Sequence, residues 1–169
     1  MANTYSLIEA KTLGTAVASV TFTSIPQTFT DLQLLISSRA TQNVTRELIK
    51  IYPNGSTANN TRFLSFGYDS GSVASGTSTE SIIGWQSGNS TTANTFANGS
   101  VYFPNYTSSD YKSYSADVVA ENNSSSSWIV SLNTSLWSNT AAITSIEIAC
   151  ETSTFAVNST FYLYGINKS

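Results

Sequence analysis

The sequence has no histidine, a single cysteine, three prolines and few charges of either sign, and each shortage excludes something. Without histidine, neither Ser-His-Asp nor Cys-His catalysis can be assembled, and the commonest zinc ligand is missing. Cys150 has no partner for an intrachain disulfide and no base to activate its thiol, so it reads as a small buried hydrophobe. Asp, Glu, Lys and Arg make up 10% of the 169 residues, against roughly 25% in ordinary soluble domains. The net charge is −3 and Lys and Arg form no run, which removes the clustered cations that a nucleic-acid partner requires. No apolar stretch is long enough to insert into a membrane. Met1-Ala2-Asn3-Thr4-Tyr5 lacks the basic and apolar blocks of a secretory signal, so synthesis in a cytoplasm and a soluble product are expected.

The chemistry that remains is sparse. No glycine-rich loop opens a helix, so no phosphate cradle and no cofactor are expected. A carboxylate pair can hydrolyse glycosides, and Glu47, Asp69, Glu80, Asp110, Asp117, Glu121, Glu147 and Glu151 are available. None of them stands in a recognisable motif, and the expectation is a protein that is not an enzyme and has no catalytic residues. Asp69-Ser70-Gly71 supplies one carboxylate where a calcium loop needs several oxygen ligands at close spacing; it reads as a turn, and no metal site is expected. The Asn-x-Ser/Thr triplets, at Asn43, Asn105 and Asn158 among others, follow from abundant Ser, Thr and Asn rather than marking glycosylation.

What is present is alternation. Hydrophobic residues make up 40% and aromatics 12% of the chain, enough for a packed core. Ser, Thr and Asn compete with the helical backbone, and Thr suits strands. The clearest stretch is Ser126 to Cys150. Trp128, Val130 and Leu132 alternate, Trp137-Ser138-Asn139-Thr140 interrupts, and Ile146, Ile148 and Cys150 alternate again. Successive strand side chains point to opposite faces, so this reads as a hairpin of two adjacent antiparallel strands. Tyr5–Leu13, Ala16–Phe22, Leu32–Ile36, Val44–Tyr52, Arg62–Tyr68, Ser81–Trp85, Phe96–Phe103, Tyr114–Ala120 and Phe161–Ile166 read the same way. Pro53-Asn54-Gly55 and Pro104-Asn105 are turn signals. About ten short strands and no helical periodicity predict one all-β domain over 1–169, an antiparallel β-sandwich of jelly-roll type.

Two polar stretches, 69–79 and 86–95, read as exposed loops able to carry a binding role. Candidate contact residues on loops or strand ends are Asp69, Ser70, Gly71, Trp85, Asn89 and Tyr106. Tyr68, Tyr102, Tyr111 and Trp137 also lie near strand ends, where aromatics beside amides and hydroxyls serve a sugar surface, a core cap or a subunit interface. The last strand has Phe161 on one face and Tyr162 and Tyr164 on the other. A strand apolar on both faces is covered on both, and a neighbouring subunit is the expected outer cover.

Three phrases carry a resemblance. Tyr5-Ser6-Leu7-Ile8, Lys11-Thr12-Leu13-Gly14, Ala18-Ser19-Val20-Thr21-Phe22 and Ile25-Pro26-Gln27-Thr28-Phe29-Thr30-Asp31-Leu32 form the first. Leu136-Trp137-Ser138-Asn139-Thr140-Ala141-Ala142-Ile143-Thr144-Ser145-Ile146 is the second, and Ser159-Thr160-Phe161-Tyr162-Leu163-Tyr164-Gly165-Ile166 the third. Their order resembles small virion-associated proteins of tailed bacteriophages; residues 40 to 110 match only in general character. The resemblance implies a β-sandwich virion component that forms a homotrimer. One implied role is a capsid decoration (cement) protein, bound to the major capsid protein on the outer surface of the head. The other is a tail-fibre or spike tip binding host-surface glycan. A first strand beginning within a few residues of Met1, with no shaft segment before it, favours decoration.

Overall fold

The computed structural model describes residues 4–56, 59–67, 73–79, 81–120 and 129–167. Twelve strands and no helix are found among them: β1 (Tyr5–Thr12), β2 (Ser19–Phe22), β3 (Asp31–Ser38), β4 (Arg46–Pro53), β5 (Asn59–Gly67), β6 (Val73–Ser78), β7 (Ile82–Ser87), β8 (Ala97–Phe103), β9 (Lys112–Ala120), β10 (Ile129–Trp137), β11 (Ile146–Cys150) and β12 (Thr160–Ile166). Alternation becomes burial directly. In β4, Glu47, Ile49, Ile51 and Pro53 face inward while Arg46, Leu48, Lys50 and Tyr52 face out. In β3, Leu32, Leu34 and Ile36 face inward and Leu35 faces out.

The strands form two antiparallel sheets. One has eight strands in the order β1-β12-β3-β8-β9-β10-β5-β6, and the other has four in the order β2-β11-β4-β7. The chain alternates between sheets from β1 to β4, and does so again from β7 to β8 and from β11 to β12. The orders β1-β12-β3-β8 and β2-β11-β4-β7 are those of a jelly roll, with β7 packing chiefly on β9 and β10 of the large sheet. Two hairpins, β5–β6 and β9–β10, extend one sheet beyond that eight-stranded unit. The expected all-β sandwich is the observed one.

Two local expectations need correction. The stretch from Ser126 to Cys150 is not a hairpin: β10 pairs with β9 and β5 in the large sheet, whereas β11 pairs with β2 and β4 in the small one. Residues 138–145 cross between the sheets, and Trp128 lies outside the described residues. The stretch 69–79 is not one long loop either, because 73–78 pairs with β5 as β6. Its sequence, Val-Ala-Ser-Gly-Thr-Ser, lacks the bulky alternation that marks other strands.

The crossover at 138–145 is tied down by groups from four other segments, Lys112 of β9 among them. Asn54 and Gly55 both adopt positive φ, +50° and +67°, as an Asn-Gly turn permits. The Asn54 Nδ2 donates to Ala142 O at 2.8 Å, and its Oδ1 accepts from the backbone N–H groups of Thr144 (2.8 Å) and Ser145 (3.1 Å). The Gln27 amide donates to Ile143 O at 3.0 Å, and Ile143 N donates to Tyr106 O at 3.0 Å. Trp137, at the end of β10, is fully buried in the core between the sheets.

Candidate docking surface

Strand β7 is the edge of the four-stranded sheet and carries Trp85 on its outer side, level with Leu48 of β4. The Arg46 guanidinium lies over the Trp85 ring, 5.1 Å from its centroid, a contact worth about 0.5–1 kcal/mol at an exposed site. Trp85 is half-buried and packs in part against the core. On the same outer face Lys50 pairs with Glu151 at 3.3 Å. The result is a flat surface in which apolar bodies are interleaved with a cation and an ion pair.

After β7 the chain turns through residues 88–95, and this turn is held from beneath. Arg39, just past β3, is only 6% exposed. Its Nη1 donates to Thr91 Oγ1 and Thr92 O, both at 2.9 Å, and to Thr95 O and Oγ1, both at 3.0 Å. Its Nη2 donates to Thr91 O at 3.1 Å and Asn89 O at 3.3 Å. All these acceptors are neutral. Loss of water lowers the guanidinium pKa, yet an arginine stays charged at neutral pH. The turn is also pinned at its base: Asn89 N donates to Gln42 O at 2.7 Å and Gly88 N to Thr45 O at 3.1 Å. A Cβ on Gly88 would collide with the Val44 carbonyl, so only glycine fits this approach.

Glu47 fixes the neighbouring turn at the same end of the sandwich. Its buried carboxylate accepts from the backbone N–H groups of Thr152 and Ser153, both at 2.8 Å, and from the Ser153 hydroxyl. Thr41 N donates to Thr154 O at 2.9 Å and joins the two turns. Nearby, Gln86 Nε2 donates to Cys150 Sγ at 3.1 Å. Burial pushes the Cys150 thiol up to about 12, opposed by that Gln86 bond. The thiol is therefore protonated at neutral pH and a poor nucleophile. Among the described residues no cluster of acids and cysteine is placed to hold a metal ion.

The residues singled out in the sequence are dispersed. Trp85 lies on the edge strand and Asn89 on the turn that follows it; Asn89 is exposed. Asp69, Ser70 and Gly71 lie outside the described residues. Tyr106 is fully buried, its hydroxyl donating to Pro26 O, and so is a core residue rather than a contact residue. It follows a Pro-Asn turn that folds the ring inward, where burial raises its pKa. The sequence does not mark Arg39 or Arg46, and offers Glu47 only as one carboxylate among eight. Each is one ordinary charge beside an alternating strand, and its role arises only when distant turns fold over it.

Comparison with known proteins gives no relative: no family model, no curated protein and no solved structure matches this chain.

Proposed function

We propose that this chain is a structural protein of a bacteriophage virion, a capsid decoration protein that docks on the outer surface of the head and clamps neighbouring subunits of the major capsid protein. The observation that carries the reading is the prebuilt turn at 88–95 beside Trp85. A loop already ordered by a buried guanidinium loses little conformational freedom on docking, and that loss is a main cost of association. Jelly rolls occur in both capsid and lectin domains, so the fold alone does not choose between them. The Arg46 guanidinium lies over the half-buried Trp85 ring, so this surface offers a cation–aromatic pair rather than a bare ring for a sugar to stack on, which supports protein docking. Cementing is mechanical in this reading: a ligand that binds only the assembled shell raises the free energy needed to take it apart.

The test adds purified protein to undecorated heads and measures occupancy and resistance to heat. Saturable binding with a raised disruption temperature is expected, and Trp85→Ala should weaken binding about tenfold or more, the effect of an interface residue worth ~1.4 kcal/mol. Failure to bind heads, together with binding to host cells or lipopolysaccharide, would replace this reading with the fibre-tip one.

A further inference from the structure

The outer face of the eight-stranded sheet carries large apolar side chains among its polar ones, where antiparallel sheets ordinarily meet water through polar side chains. Ladder register connects Leu7 through Tyr164 and Gln33 to Tyr102. A parallel row runs from Tyr162 through Leu35, Ser100 and Asp117 to Leu132. Of the large hydrophobic residues exposed among the described ones, Tyr5, Leu7, Leu35, Leu132 and Leu136 all lie on this face and are 37–54% exposed. The remaining two, Tyr111 and Val157, sit on loops.

We infer that this face pairs with the same face of a second copy in a two-fold, sheet-on-sheet contact. Area is the first argument. Eight strands about 4.8 Å apart, each offering roughly seven residues at about 3.3 Å, span about 850 Å². A stable pair needs about 800 Å² from each partner. Self-complementarity is the second. The apolar residues form two groups, Leu35 with its Tyr and Leu neighbours toward β1, and Leu132 with Leu136 on β10. Ser100, Ser115 and Asp117 of β8 and β9 lie between them. A two-fold axis along the strands between β8 and β9 lays the β10 group of each copy on the β3 group of the other. It sets Asp117 against the β8 hydroxyls rather than against a second Asp117. Sheets stacked at about −30° bury their faces in this way, and one patch that matches itself is the mark of an isologous contact. The pairing is twofold, unlike the threefold assembly that the resemblance implies, and it does not depend on the proposed virion role.

Light scattering at micromolar concentration tests it. The unaltered chain should have the mass of two chains. Leu35→Arg and Leu132→Arg, both on the surface and so harmless to the core, should each give the mass of one, while Val157→Arg on a loop keeps two. A second reading avoids dependence on those variants. Leu35→Cys mixed with Leu132→Cys should be joined by a short bismaleimide, with Cys150 too buried to compete. An unaltered chain of one or three copies, a two-chain mass that survives both arginine variants, or no crosslink would overturn the pairing. One-chain protein that still binds heads would discard the pairing and leave the decoration role standing.

Discussion

The Arg39 guanidinium stabilises the turn at 88–95 through neutral oxygens alone, so dissolved ions have no counter-charge to displace. Arg39→Met removes the donor that gathers these half-buried and exposed oxygens, and should lower stability by about 1–2 kcal/mol; denaturant unfolding measures this, and limited proteolysis should locate the new cleavage at 88–95. Lys112 acts similarly. Its buried ammonium donates to Ala141 O at 2.7 Å and Asp110 O at 2.8 Å and lies 5.5 Å over the Trp137 ring. It thereby anchors the start of the crossover. Burial pulls its pKa down, against the opposing pull of Asp110. Acidic side chains shift the other way. Burial raises Cys150 from 9.0 and Tyr114 from 10.0 to about 12, and the hydrogen bond to Asp31 raises Tyr102 from 10.0 to about 12. These groups ionise earlier in the unfolded chain. Their contribution is whole below about pH 9 and declines as pH climbs toward 12. Lys112 opposes this, because its unfolded form keeps the proton longer, but it is one group against four, since burial raises Tyr106 as well. Melting temperature should fall steadily across that window, and a flat profile would contradict the burial of Cys150 and Tyr114. The thiol should resist alkylation at pH 8 until denaturant is added.

At the scale of the element, β7 shows how closely the sheets approach. A Cβ on Gly84 would lie 2.5 Å from the Val118 Cβ of β9, and its φ of +156° is one that other residues rarely adopt. Gly84→Ala should cost about 1–3 kcal/mol by overpacking, read as a lower denaturant midpoint with an unchanged slope. Strand identity was largely legible, because a period of two records which face is buried, as the Ile49/Arg46 division of β4 illustrates. Partnership was not. The runs ending at Trp137 and beginning at Ile146 each look like half a hairpin, yet nothing within either run specifies the strand beside it. The eight residues between them carry no two-residue Asn-Gly turn, and they cross between sheets. Conversely, Asn54-Gly55 is a hairpin signal whose positive φ values carry the chain away from β4 instead. The candidate surface was half legible. Trp85 and Asn89 could be seen as an aromatic and an amide beside a polar stretch, whereas the Arg39 brace depends on residues some fifty positions away.

The whole molecule is an eight-stranded jelly roll with one sheet enlarged by two hairpins. Its inner faces bury Phe22, Ile49, Ile148, Phe161 and Leu163 completely. Phe161→Ala should therefore cost about 3–5 kcal/mol, checked by calorimetry. The enlargement is what makes the outer face broad enough to cover a partner, while the edge with Trp85 belongs to the other sheet. The proposed shell contact and the proposed contact with a second copy therefore lie on different sheets.

The strand order also has a consequence in time. β12 lies between β1 and β3, so the β1 side of the large sheet stays open until residue 166 has left the ribosome. Until then β1 has no neighbour, and β3 has β8 alone. Closure across so long a stretch of chain belongs to the slow, millisecond-to-second class of folding, and stopped-flow refolding should fall in that range. A chain stopped before β12 should be insoluble rather than merely weak, since β1 and β3 would remain unpaired edges, the latter carrying Leu34 and Leu35. Each copy becomes competent in a single late event, which leaves no partly finished form able to occupy a binding place.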